Sequence, residues 1–212
     1  MSDHELLDIY TDYLISSMRL VTSTGLSELL DNAVSHDRIS RLLSRREFTQ
    51  KDYWQAVKSI LRRMESSSGI IKIDDTISEK PHSTENDIVC WNFDHTTGRT
   101  VKGINIINFV YQPHLSSDSK FSLPIAFEIV EKTEKFFDAE ANKVKRRSSR
   151  GKNEIVRERL RILHFVNRVK FQTVLWDSWY SCAENFDFVI DNNGTIEELI
   201  ELPGVGIKTA KV

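Results

Sequence analysis

Residues 5–67 carry apolar side chains three or four positions apart, the spacing that buries one face of an α-helix. The breaks in this pattern predict four helices. The first runs from Glu5, the second starts after Thr24, and the third follows Ser35, a residue type that caps helix N-termini well. The fourth places Trp54 and Leu61 on one side. The pattern therefore predicts a helical N-terminal region.

Beyond residue 67 the pattern changes from helical to strand-like, because Ser66–Gly69 interrupts the helix and a β-branched run follows. A charged stretch covers residues 138–152. Apolar runs predict strands at 70–73, 103–112, 123–132 and 173–176, with a long amphipathic helix at 153–170 before the last of them and a helical turn with a short strand at 181–190. This order predicts an α/β fold, with a helical subdomain followed by a mixed sheet.

The second and third predicted helices are short and joined by a tight turn, which is the arrangement of a helix-turn-helix. The third carries Arg38, Arg41, Arg45 and Arg46, so it offers a basic face to DNA. A helical subdomain with a solvated basic face explains the same pattern. Both interpretations remain open at the level of the sequence.

Two carboxylates stand where apolar strands end. Asp75, with Asp74 beside it, closes the first predicted strand, and Asp177 closes the last. If these strands are neighbours, both acids can bind one hard divalent cation, which relieves their mutual repulsion. Such a site can activate a water or a 3′-hydroxyl in phosphodiester chemistry. The alternative is structural, since Asp is common in turns, where its side chain bonds the following backbone.

Basic residues are concentrated in one part of the chain. Residues 143–170 contain 11 Lys and Arg against two Glu, although the formal net charge of the whole chain is -2. The densest part holds Lys145, Arg146, Arg147 and Arg150. A polyanion such as DNA is the partner that this local excess favours. A mobile loop followed by a solvated helix face is the alternative.

Composition narrows the class of protein. An apolar fraction of 40% and a charged fraction of 28% are those of an ordinary globular protein. The two cysteines form no CxxC pair, which favours a reducing compartment. The N-terminus has acids and no long apolar run, so we predict neither a signal peptide nor a membrane partner. The expected location is the cytoplasm.

The stretch from "IDDTISEK" to "GINIINFVYQ", together with "VLWDSWYS", resembles the DDE-type transposases of bacterial insertion sequences. The resemblance covers about residues 5–190 and includes the helical leader. It implies a ribonuclease H-like core, Mg²⁺ or Mn²⁺ as cofactor, and DNA at the bacterial nucleoid as partner. Asp75, followed by Thr76, matches the first acid, and Asp177, with Tyr180 three residues on, matches the second.

The resemblance also implies DNA-phosphate contacts for Lys80 and Lys102, for which solvated loop lysines are the alternative. The third acid of such transposases is a Glu on a helix well downstream of the second Asp. Only 35 residues follow Asp177, and we assign none of their glutamates to this role. The expectation is therefore an incomplete core, in a truncated copy that binds DNA without cutting it.

The C-terminal "LPGVGIKTAKV" resembles the helix-hairpin-helix of endonuclease III-like DNA glycosylases. Gly204 and Gly206 permit a tight turn, and a helix predicted from Ile207 would direct its first amides at a DNA phosphate. Lys208 matches the catalytic lysine of that family. An incidental turn is the alternative, and the rest of the glycosylase has no counterpart in the sequence.

Three regions follow from these patterns: a helical subdomain at 1–67, for which DNA binding is one of the two open interpretations, a partial ribonuclease H-like core at 68–190, and a helix-hairpin-helix-like tail at 191–212. The predicted function is that of a truncated DDE transposase, whose partners are DNA and a second copy or the full-length transposase. One alternative is a non-catalytic DNA-binding module that inhibits the full-length protein. Another is a glycosylase or AP-lyase fragment formed by the tail.

Overall fold

A computed structural model describes residues 1–18, 21–45, 48–113, 121–186 and 209–211. The chain divides into two compact units, Met1–Thr49 and Gln50–Val212. None of the helices within the described ranges is both long and apolar enough to cross a membrane.

The first unit consists of three short helices around a small apolar core. Leu6, Leu26, Val34 and Ile39 are buried together at its centre. Ser35 caps the third helix as predicted, since its hydroxyl accepts the Arg38 backbone N–H at 3.3 Å. The helices are α1 (Asp3–Ser16), α2 (Ser23–Leu29) and α3 (His36–Arg45).

Within its described residues, the second unit contains a mixed sheet, two helices and a separate hairpin. The helices are α4 (Gln50–Met64) and α5 (Lys152–Arg161), and α5 continues as a π-helix over Ile162–Val166. A 3₁₀ turn covers Ser178–Tyr180. The strands are β1 (Ile70–Glu79), β2 (Val89–Asp94), β3 (Arg99–Gln112), β4 (Leu123–Ile129), β5 (Glu134–Asp138), β6 (Lys143–Arg147), β7 (Thr173–Trp176) and β8 (Thr209–Lys211).

Strand β1 lies inside the sheet, between β3 and β7. It pairs antiparallel with β3 along its whole length and parallel with β7, with Ile73 opposite Trp176 at the end of the parallel ladder. The other edge of β3 pairs with β2 and β4, and β8 pairs antiparallel with β7. The parallel β1–β7 pair needs a crossover connection, and α5 lies within it.

One face of the sheet carries the core. Residues alternate along β3 between buried and half-buried positions, so Ile107, Phe109 and Tyr111 point to the same side. These side chains form one buried cluster with residues of α4 and α5. Contacts of this kind explain why α4, which the sequence assigns to the helical subdomain, belongs to the second unit: the Tyr53 hydroxyl donates to the Pro124 carbonyl of β4 at 2.8 Å.

Several predicted elements have different bounds in the structure. The predicted strand at 173–176 is confirmed. Strand β1 continues to Glu79, so Asp75 lies inside a strand and not at its end. The charged stretch at 138–152 contains the turn and the second strand of the β5–β6 hairpin, and the helix predicted over 153–170 ends at Val166.

The helix predicted from Ile207 to the C-terminus is wrong at Thr209–Lys211, which form β8. Pairing along the edge of β7 satisfies backbone groups that a helical segment would leave open on that edge. The predicted turn at Gly204 and Gly206, and Lys208 beyond it, lie outside the described residues.

Tyr111 joins the end of α4 to the start of β7. Its buried hydroxyl accepts the Ser66 backbone N–H at 2.8 Å and lies 3.0 Å from the Lys170 carbonyl, to which it can donate. We expect Tyr111→Phe to lower the free energy of unfolding by about 1–3 kcal/mol, because buried backbone groups lose their partner. Urea unfolding measures this. The matched control is Tyr53→Phe, which removes one hydrogen bond near the surface. Equal stability of the two variants would contradict the stabilising role given to the Tyr111 hydroxyl.

Candidate active site

Three carboxylates line one pocket where β7 ends beside β1. The parallel ladder ends where Ile73 is opposite Trp176, one residue before Asp74 on β1 and Asp177 after β7. Neighbouring strands are about 4.8 Å apart. Asp75 follows on β1, and all three acids line one pocket of about 660 Å³. The sequence-predicted pair Asp75 and Asp177 is therefore brought to one place.

The two adjacent acids of β1 have different surroundings. The Asp75 carboxylate is half-buried and accepts from Lys152 Nζ at 2.5 Å, Tyr180 Oη at 3.1 Å and Asn105 Nδ2 at 3.3 Å. Asp74 is exposed, and its Oδ1 accepts the backbone N–H of Asp75 at 2.9 Å. Asp75 is thus held by neighbours from three other parts of the second unit.

Tyr180, three residues after Asp177, is a hydrogen-bond donor to the other predicted acid, Asp75. Its side chain is fully buried. Burial raises the pKa of Tyr180 well above that of a free phenol, and the negative charge of Asp75 raises it further. The phenol therefore stays protonated and donates to Asp75. Asp177 begins the turn that carries Tyr180, because its Oδ1 accepts the Trp179 backbone N–H at 3.1 Å and the Ser178 hydroxyl at 2.8 Å.

Lys152 is a site residue that the sequence analysis did not single out. It is the first residue of α5, 77 positions from Asp75 in the chain. In the sequence it was one of many cations in the basic stretch. Only the packing of α5 on the sheet brings its ammonium to the carboxylate, so no local signal could have revealed the pair.

The predicted DNA-binding residues of the basic stretch lie on the β5–β6 hairpin and just after it, and they have acidic partners. Arg147 pairs with Glu134 at 2.8 Å, and Arg146 pairs with Asp87 and, at 3.7 Å, with Glu85. The remaining pairs join Lys145 to Asp138 and Arg150 to Glu154 and Glu158. Intramolecular pairing therefore balances part of the local charge excess.

The other predicted DNA contacts are spread over both units. In the first unit, Arg38 donates to the Met1 carbonyl at 2.6 Å and Arg41 to the Asp37 carbonyl at 3.2 Å. In the second, Lys80 directly follows β1, and its backbone N–H donates to the carbonyl of Lys102 on β3 at 2.8 Å. Neither Lys80 nor Lys102 lines the acidic pocket.

A family profile described as "DDE superfamily endonuclease" matches residues 2–195, which is most of the chain. The chain belongs to this family. Searches of curated proteins and of solved structures found no match. DDE superfamily endonucleases act on DNA and generally use divalent metal ions, and N-terminal helices followed by a mixed sheet are consistent with an α/β nuclease. The predicted DDE-type identity is confirmed at this level.

Proposed function

We propose that the chain is a DDE-type DNA transposase of a bacterial insertion sequence, with a ribonuclease H-like sheet as its catalytic core. The supporting observation is the meeting of Asp75 and Asp177 in one pocket, delivered by two parallel strands. The arrangement of β1 between antiparallel β3 and parallel β7, with α5 in the crossover, supports the same fold.

The donor atoms of the pocket suit a hard divalent cation, since carboxylate oxygens are the ligands that Mg²⁺ and Mn²⁺ prefer. We assign Asp75 and Asp177 as the residues that would hold it. When bound, such an ion activates a water or 3′-hydroxyl and stabilises the leaving oxygen. Tyr180 and Asn105 orient the Asp75 carboxylate through neutral donors, which leave its charge intact.

We further propose that the chain binds DNA without cutting it on its own. The ammonium of Lys152, 2.5 Å from the Asp75 carboxylate, competes directly with a metal ion for that ligand. Among the described residues, no three His, Cys, Asp or Glu side chains are placed to hold one ion together. A second copy of the chain or a full-length transposase is the protein partner that we propose.

A plasmid-nicking assay with Mg²⁺ or Mn²⁺, run beside gel shifts on element-end and random DNA, tests this function. We expect shifted DNA without nicks. Asp75→Ala and Asp177→Ala serve as the site variants, and Asp138→Ala, an acid of the β5–β6 hairpin, is the matched control. Metal-dependent nicking that both site variants lose and the control keeps would contradict the proposed inactivity and support the two acids as ligands. An absence of any DNA shift would contradict DNA binding.

A further inference from the structure

We propose that Phe93, His95 and Trp179 form a stacking site for an unpaired nucleobase of DNA beside the acidic pocket. The inference rests on the proposed action on DNA and adds a ligand class to the same site. Phe93 lies near the end of β2, His95 follows in the turn, and Trp179 lies in the 3₁₀ turn after β7. Three aromatic rings from separate segments therefore meet at one end of the sheet.

The rings touch one another and remain open to solvent. The Phe93 and His95 ring centroids are 4.9 Å apart, edge to face, and those of His95 and Trp179 are 5.8 Å apart at an interplanar angle of 39°. Phe93 is 54% exposed and Trp179 is 60% exposed. Large aromatic side chains that cluster at the surface offer a flat π-ligand both contact area and a preferred geometry.

The charge of the pocket selects the part of DNA that can enter. The three rings line the same pocket of about 660 Å³ as Asp74, Asp75 and Asp177. Negative side chains repel a phosphate that has no accompanying cation, whereas a nucleobase is neutral and stacks on aromatic faces without sequence preference. The volume lies within the roughly 300–1,000 Å³ of small-ligand pockets, which suits one extruded base.

Trp179 is coupled to the second acid through the backbone. Its N–H donates to Asp177 Oδ1 at 3.1 Å, and this bond fixes the start of the turn that carries the ring. A base stacked on Trp179 would therefore lie next to Asp177. Duplex DNA keeps its bases in the stack, so the site favours a strand end or an extruded nucleotide.

Short duplexes with and without a single-stranded 3′ overhang test the site, with 2-aminopurine in the overhang as a fluorescent reporter of stacking. The titrations are run without divalent cations, so they do not depend on a metal site. We expect the overhang to tighten binding and to quench the reporter. Trp179→Ala should weaken overhang binding about tenfold, within the range of alanine substitutions at stacked bases, and leave blunt-duplex affinity unchanged.

Two variants sharpen the result. Trp179→Phe keeps an aromatic face and should retain most of the overhang preference and quenching. Phe165→Ala removes a comparably open ring, 58% exposed on the π-helix that follows α5, that does not line the acidic pocket, and it should behave as wild type. Circular dichroism checks that each variant is folded.

The outcomes separate the two proposals. Wild-type protein that binds neither substrate contradicts the proposed action on DNA, and the stacking site with it. Wild-type protein that binds blunt duplex but gains nothing from the overhang overturns the stacking site alone. The same holds if Trp179→Ala keeps the overhang preference, or if Phe165→Ala loses it to the same degree.

Discussion

Asp75→Asn and Asp177→Asn are each expected to weaken Mn²⁺ binding by about 100-fold, the upper end of what changes around a metal site usually cost. Each substitution keeps the shape of the side chain and removes one negative charge from the pocket that Asp75 and Asp177 share. A hard cation depends on that charge for most of its affinity. Electron paramagnetic resonance of free Mn²⁺ measures the binding without requiring any cleavage.

Lys152→Met is a control that should change Mn²⁺ affinity in the opposite direction. It removes the ammonium 2.5 Å from Asp75 and keeps most of the aliphatic stem, so Mn²⁺ affinity should rise about tenfold as the like-charge repulsion disappears. Asp138→Asn on the β5–β6 hairpin should change nothing. Weakened binding in Lys152→Met, or unchanged binding in both acid variants, would show that Asp75 and Asp177 do not hold the ion.

The position of Asp75 shows how far strand prediction from sequence can go. The apolar run ends at Ile73, so the sequence predicts a strand that closes in acids. The strand continues because the whole predicted span of β3, residues 103–112, pairs with β1, with Gly103 opposite Glu79. Backbone pairing with a long partner outweighs the local preference of Asp for turns. The prediction thus found the acid but not its place within the strand.

The basic stretch at residues 143–170 shows a limit of counting charges along the sequence. Counting charges within residues 143–170 finds two acids, but the structure pairs this stretch with Asp87, Glu134 and Asp138, which lie before the counted window. A charge count over consecutive residues leaves out acids that are distant in the chain but close in the folded hairpin. The Arg147–Glu134 pair is exposed on both sides and weak, so a phosphate can exchange with its acidic partner. DNA binding by this stretch stays a prediction.

The contacts that the sequence could not predict join residues that are far apart in the chain. Lys152 reaches Asp75, and Trp179 reaches His95, only because the sheet places β1, β2 and β7 at one end of the molecule's second unit. The strand at 173–176 and the turn from Asp177 to Tyr180 could be read from the sequence, because both depend on residues that are neighbours in the chain.

Arg159→Met is expected to lower the free energy of unfolding by about 3 kcal/mol, because it leaves one carboxylate of a largely buried ion pair without its partner. Arg159 is 9% exposed on α5, and its Nε donates at 2.5 Å to Glu128 on β4. The pair therefore ties the helix that carries Lys152 to the sheet. Urea unfolding monitored by tryptophan fluorescence measures the loss.

The matched control is Arg150→Met, which removes an Arg just before the same helix, paired with the exposed acids Glu154 and Glu158. Exposed pairs contribute about 0–1 kcal/mol, so this variant should be nearly as stable as wild type. The double variant Arg159→Met with Glu128→Leu should recover most of the stability, since apolar replacement of a whole buried pair is often neutral. If the double variant is as unstable as Arg159→Met alone, the cost comes from lost packing of the Arg159 stem and not from an unpaired charge.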